Sequence, residues 1–192
     1  MSVALVRQHF ASHVQAAERA VAELAERIDG CAQLLAAALR GGNKILVMGN
    51  GGSAADAQHL AAELVGRFLR ERKALPAIAL TTDSSILTAV GNDYGFDRVF
   101  ERQVQALAGP GDVVIGISTS GNSPNVLLAL QAAKAAGCTT VGLLGRDGGK
   151  IAPLVDVNLL VTAAQTPHIQ EVHAIIVHIL CDLVEQALCG VS

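Results

Sequence analysis

Lys44-Ile45-Leu46-Val47-Met48-Gly49-Asn50-Gly51-Gly52-Ser53-Ala54-Ala55-Asp56-Ala57-Gln58-His59-Leu60-Ala61-Ala62-Glu63 is the stretch whose reading decides the fold. Ile45 to Met48 is a short unbroken apolar run, the pattern of a strand buried on both faces of a parallel sheet. Gly49-Asn50-Gly51-Gly52 then makes a turn whose glycines let the backbone approach a ligand closely. Ser53 suits the N-cap of the alanine-rich helix that follows. The strand end would therefore aim free backbone N–H groups and the positive end of a helix at one point, an anion site. His59 and Glu63 stand four apart and share a face of that helix. The stretch thus predicts an anion at the helix entrance and acid–base or metal chemistry one or two turns in.

Downstream, the pattern alternates. Strand candidates at 44–48, 77–81, 112–117, 139–144 and 156–161 are separated by helical stretches, which argues for an α/β domain with a mostly parallel sheet. Upstream, residues 3–28 read as an amphipathic helix with Val14, Ala17, Val21, Leu24 and Ile28 at spacings of three and four. A second helix over about 31–40 stops at Gly41-Gly42. This helical pair precedes the first strand and has no crossover to make, so its spare apolar surface is a candidate for subunit packing.

The 192 residues are enough for one domain with a sizeable core, at 51% apolar and 16% charged. A formal charge of -3, without a Lys/Arg cluster, argues against a nucleic-acid groove. Cys31, Cys138, Cys181 and Cys189 lack C-x-x-C spacing and read as reduced and mostly buried, as in a cytoplasmic protein. There is no signal-peptide pattern, and no uncharged apolar run approaches about 18 residues, so no membrane span is expected.

In α/β folds of this kind ligands sit beyond the carboxyl ends of strands. After Val113–Ile117 comes Ser118-Thr119-Ser120-Gly121-Asn122-Ser123-Pro124, four hydroxyls in six residues, with Pro124 suited to the first helical position after an N-capping Ser123. Such a loop holds a phosphate without Lys or Arg, although a plain Ser/Gly turn reads the same way. Gly91-Asn92-Asp93-Tyr94-Gly95 is either a set of sugar-hydroxyl contacts or an Asx turn. The last helix, entered through Thr166-Pro167 and running to about Leu188, carries Gln170, Glu171, His173 and His178. Gln170 and His178 are about 12 Å apart along a straight helix, too far to meet one small ligand from the same chain.

Together Gly49–Ser53, Gln58-His59 with Ala62-Glu63-Leu64, Gly91–Gly95, Gly116–Ser123, and Ile169-Gln170-Glu171 followed by His178 resemble the sugar isomerase (SIS) domain family, specifically its phosphoheptose isomerases. The resemblance spans about residues 40–188. It implies a single SIS domain over 1–192: a three-layer sandwich in which a five-stranded, mostly parallel sheet is flanked by helices. The core covers 41–192, and the N-terminal helical extension, 1–40, serves oligomer packing. It also implies a cytoplasmic homotetramer with intersubunit sites that isomerises sedoheptulose 7-phosphate to D-glycero-D-manno-heptose 7-phosphate, the first step toward ADP-heptose and lipopolysaccharide core.

Carried over by residue, the phosphate loop falls on Ser118, Thr119, Ser120 and Ser123. Other substrate contacts fall on Asn50, Gly51, Gly52, Ser53, Asn92, Asp93 and Gln170. Glu63, also a substrate contact, matches the base and His178 the acid. The zinc set carried by some members matches His59, Glu63, Gln170 and His178, with one Zn2+ per subunit expected. Gln165-Thr166-Pro167-His168 departs from relatives that have charged residues here. The rival within the resemblance is a non-catalytic SIS regulator associated with replication initiation, which is expected to lack the Glu63/His178 pair. A dinucleotide site is a weaker rival: Gly49-x-Gly51-x-x-Ala54 fits the fingerprint, but no acidic residue stands where the next strand should end.

Overall fold

A computed structural model describes residues 2–190. The order is α1 (Val3–Arg40), β1 (Ile45–Gly49), α2 (Gly52–Val65), β2 (Ala77–Ala79), α3 (Ser84–Tyr94), a 3-10 turn (Phe96–Arg98), α4 (Glu101–Leu107), β3 (Val113–Ser118), α5 (Pro124–Ala135), β4 (Thr139–Gly145), β5 (Val157–Val161) and α6 (Thr166–Cys189). The five strands form one sheet in the order β2-β1-β3-β4-β5. Every pairing is parallel, so the sheet is wholly rather than mostly parallel.

Alternation along the strands divides the core into two layers. Ile45, Val47, Val113, Ile115, Ile117, Val141 and Leu143 face α1, α2 and α6, while Leu46, Met48, Val114 and Leu144 face α5 and residues 99–104. All five residues of β1 and all six of β3 are buried, as their unbroken apolar runs require. The result is the expected three-layer sandwich.

Two helical expectations need correction. The N-terminal pair is one continuous helix, Val3–Arg40, because Gly30 has helical neighbours on both sides and nothing that would force a break. A glycine there costs only about 1 kcal/mol against alanine, which the packing of Leu24, Ile28, Cys31 and Leu35 outweighs. The Gly91–Gly95 motif is not an Asx turn, because Gly91, Asn92, Asp93 and Tyr94 form the last turn of α3.

Helix α1 is buried only from Ala20 onward, against α6 and β5, and its first half exposes Phe10, Val14 and Val21. Helix α6 is the one helix among the described residues long and apolar enough to cross a membrane, with mean hydropathy 1.6. It carries Glu171, Asp182 and Glu185, so it holds no uncharged apolar run of about 18 residues. Its apolar face is occupied in the protein core, where Ile169, Val172, Ile176, Val177, Leu180 and Val184 are buried. Cys31, Cys138 and Cys181 are free and buried, and Cys189 is free and exposed.

Candidate active site

The two anion loops leave neighbouring strands, β1 and β3, and are joined by their amides. Asn50 Nδ2 donates to Asn125 Oδ1 and Asn125 Nδ2 donates to Asn50 Oδ1, each at 2.9 Å. Asn125 Oδ1 also accepts the Val126 N–H at 2.9 Å. Asn125 is buried in the first turn of α5 and was not among the sequence candidates. An Asn after Ser-Pro at a helix entrance was the available signal.

In the first loop Gly51, at φ 57, is the N-cap and α2 begins at Gly52. Ser53 therefore lies inside the first turn, buried at 3%, instead of capping it. The reason is close packing: a Cβ on Gly49 would stand 2.6 Å from the Ser53 carbonyl oxygen. Gln170 lies over the helix entrance, where a Cβ on Gly52 would collide with its side-chain amide. A glycine is required there for α6 to approach α2.

In the second loop Ser123 is the N-cap of α5, with Pro124 next, as expected. Its hydroxyl does not cap the helix. It shares a 2.9 Å hydrogen bond with Ser118 Oγ, which also accepts the Gly121 N–H at 3.1 Å. Ser120 Oγ accepts the Asn122 N–H at 3.2 Å, and Thr119 is half-buried beside it. Hydroxyls and the N-terminus of α5 thus converge with no cation in the loop, which suits a phosphate. Asn92 and Asp93, in contrast, are exposed at the end of α3, with Asn92 Nδ2 donating to Asp93 Oδ1 at 2.8 Å.

A second cluster forms farther along α2. His59 Nε2 lies 3.2 Å from Glu63 Oε1 and 3.3 Å from His178 Nε2. The two imidazoles meet edge to face, with centroids 4.9 Å apart, and Phe68 stacks on His178 at 5.5 Å. Asp56, one turn before His59, has a buried Oδ2 with no hydrogen-bond partner. Burial raises its pKa, against the opposing attraction of His59.

The separation of the two clusters is the main geometric finding. From Gly52 to Glu63 is eleven residues, about 16 Å along the helix. From the carbonyl carbon of an extended seven-carbon sugar to its phosphorus is about 9 Å. Gly52 and Glu63 thus stand farther apart along the backbone than the sugar is long, and His59, seven residues from Gly52, is the member of the cluster that lies about two turns from the helix entrance. Gln170, at Gly52, is likewise about 10 Å from the His59 level of α2, so within one chain it is not part of the histidine–carboxylate cluster.

His173 proves to be a core residue. It is fully buried, its Nε2 donates to Leu144 O at 3.1 Å, and burial pulls its pKa down to about 4. Glu171 accepts hydrogen bonds from His168 and His13, both 2.9 Å, and the His168 bond is the main cause holding its carboxyl below the usual range.

Among the described residues no three His, Cys, Asp or Glu stand in a finished metal cage. The donor chemistry of the second cluster nevertheless fits a metal. One imidazole nitrogen carries either a proton or a lone pair and cannot serve both Glu63 and His178 well. Donors about 3.3 Å apart are the spacing set by a tetrahedral zinc with bonds of 2.0–2.1 Å.

Comparison with known proteins identifies the family of the chain. Residues 8–145 match the SIS domain family. The phosphoheptose isomerase of Geobacter sulfurreducens is 68% identical over 86% of this chain and 88% of its own. The solved phosphoheptose isomerase of Neisseria gonorrhoeae is 49% identical, with a TM-score of 0.90 over 94% of this chain and 97% of that one. That of Francisella tularensis is 39% identical, with a TM-score of 0.94 over 97% and 99%. With identity at this level along nearly the whole length of both partners, the chain belongs to the phosphoheptose isomerase family of SIS-domain proteins.

Proposed function

We propose that this protein converts sedoheptulose 7-phosphate to D-glycero-D-manno-heptose 7-phosphate in a cleft built by more than one subunit. The observation that carries the intersubunit part is the separation of about 16 Å between the helix entrance at Gly52 and Glu63. A phosphate held by Ser118, Thr119, Ser120 and Ser123 of one subunit would have its carbonyl end near Glu63 and His178 of another. The apolar groove between α1 and α6, lined by Ala17, Val21, Ile28, Ile175 and Ile179, supports subunit packing within the homotetramer of this reading, since it leaves an apolar face beside the exposed His178.

In the reaction Glu63 removes a proton from C1 of the open ketose, and the C1–H electron pair becomes the C1=C2 bond of an enediolate. The same carboxyl returns the proton to C2, giving the aldehyde at C1. His178 takes the proton from O1 and delivers one to O2, so charge and protons balance. Asn50, Gly51, Gly52, Ser53, Asn92, Asp93 and Gln170 orient the sugar. His59, Glu63 and His178 would hold a zinc ion, with Gln170 reaching it only from another subunit. Bound zinc would polarise the sugar carbonyl and stabilise the developing enediolate oxygen. A carboxylate on zinc is a weaker base, and a bound ion would also order the two imidazoles.

The non-catalytic regulator is not favoured, because the Glu63/His178 pair that separates the two readings is present and His59 joins them. Cytoplasmic location and supply of ADP-heptose for lipopolysaccharide belong to the same reading. A turnover assay with sedoheptulose 7-phosphate, with and without chelator, tests it. Formation of heptose 7-phosphate is expected, and its absence under both conditions would move the reading to the regulator.

A further inference from the structure

A buried ion pair ties the end of α2 to α6 just beyond the acid–base cluster. Glu185 on α6 is fully buried and accepts the N–H groups of Phe68, Leu69 and Arg70 at 2.8, 2.9 and 2.9 Å, together with Arg72 Nε at 3.0 Å. Arg72, itself 4% exposed, turns its other nitrogens to the end of α2. It donates to Glu63 O at 2.6 Å, Leu64 O at 2.8 Å and Gly66 O at 3.1 Å. Helix α2 has no basic residue in its own last turn, so Arg72 is the cation that satisfies these carbonyls.

A buried ion pair is weak evidence for stability, since apolar replacements often do as well. Here it fixes geometry. Residues 67–72 are held between α2 and α6, and the side chain they present to the site is Phe68, whose ring lies nearly parallel to the His178 imidazole at 19°. His178 is exposed on α6 and is bounded by the Phe68 face on one side and the His59 edge on the other.

We propose that Glu185, Arg72 and Phe68 are positioning residues for the isomerisation: the Glu185–Arg72 clamp sets the end of α2 that bears Glu63 against α6, and Phe68 sets the plane of the His178 ring. The inference rests on the assignment of Glu63 and His178 as base and acid. Misplacing a proton-transfer group by an ångström costs up to about a hundredfold in rate, whereas binding of the phosphate by the Ser118–Ser123 loop lies outside the clamp.

The test uses the full-length protein labelled with [13C]histidine, with the His178 resonance assigned by its loss in His178→Gln. In the native protein the stacked Phe68 ring is expected to displace that resonance through its ring current. Phe68→Leu is expected to lower kcat roughly tenfold, leave KM within about twofold and move the His178 resonance, and Phe68→Tyr to restore all three. Glu185→Gln is expected to change kcat and the His178 resonance in the same direction, with Phe68 itself intact. If Glu185→Gln fails to fold, the Phe68 pair alone decides. Normal kcat in Phe68→Leu, or an unmoved His178 resonance in a folded Glu185→Gln, would overturn the proposal. Near-normal turnover in His178→Gln would instead remove the acid assignment beneath it, and the resonance shifts would then report a clamp with no catalytic consequence.

Discussion

Asn50 and Asn125 exchange two 2.9 Å amide hydrogen bonds across the carboxyl ends of β1 and β3. The pair makes one rigid floor from two loops that lie 75 residues apart in the chain. Asn125→Leu removes both bonds and leaves the Asn50 amide unpaired. The expected cost is about 1–3 kcal/mol of stability, read by urea denaturation, with a several-fold rise in KM for sedoheptulose 7-phosphate.

The hydroxyl loop makes a different prediction. Ser123 turns its hydroxyl to Ser118 instead of capping α5, so its loss costs the helix little. Ser123→Ala should fold with a normal melting temperature and raise KM about tenfold, the effect of one hydrogen bond to a charged group, while kcat stays within a few-fold. Steady-state kinetics beside a thermal melt checks both halves.

The proposed zinc set, with His59 Nε2, Glu63 Oε1 and His178 Nε2 as donors, predicts metal dependence. Prolonged chelation should lower turnover and added Zn2+ should restore it. His59→Gln should reduce bound zinc, measured by elemental analysis of the purified protein, without altering the fold by circular dichroism. Unchanged zinc content in His59→Gln would remove this residue from the ligand set.

His173 gives stability a pH dependence whose sign is fixed. Its folded pKa of about 4 lies below its usual 6.5, because burial disfavours the imidazolium. Between those values the unfolded chain binds the extra proton. The stability present above pH 6.5 is therefore lost as pH falls from 6.5 toward 4, by about 3 kcal/mol. His173→Gln has no such proton to gain, and its unfolding free energy should be flatter over this window in a pH series of urea melts.

The layers of the fold were legible in the sequence because β1 and β3 are unbroken apolar runs and glycine turns mark their ends. The continuity of α1 was not, since Gly30 and the charge pattern carry no record of the packing of Leu35 and Leu39 on the core. The convergence of hydroxyls at Ser118, Thr119, Ser120 and Ser123 was legible for a related reason: they fall within six successive residues of one loop. The Glu185–Arg72 clamp was hidden, because its partners are 113 residues apart and a lone Glu in an apolar helix reads equally well as solvent-facing. His173 and His178 look alike in sequence, yet one is sealed in the core and the other exposed beside His59, a difference set by the phase of α6 against the sheet.

The most direct measurement is turnover of sedoheptulose 7-phosphate by Glu63→Gln in D2O, with binding followed in parallel by the ligand-induced rise in melting temperature. The account predicts a folded protein that still gains stability from the sugar phosphate but forms no heptose product and exchanges no C1 hydrogen. A variant that isomerises at a near-native rate would contradict it.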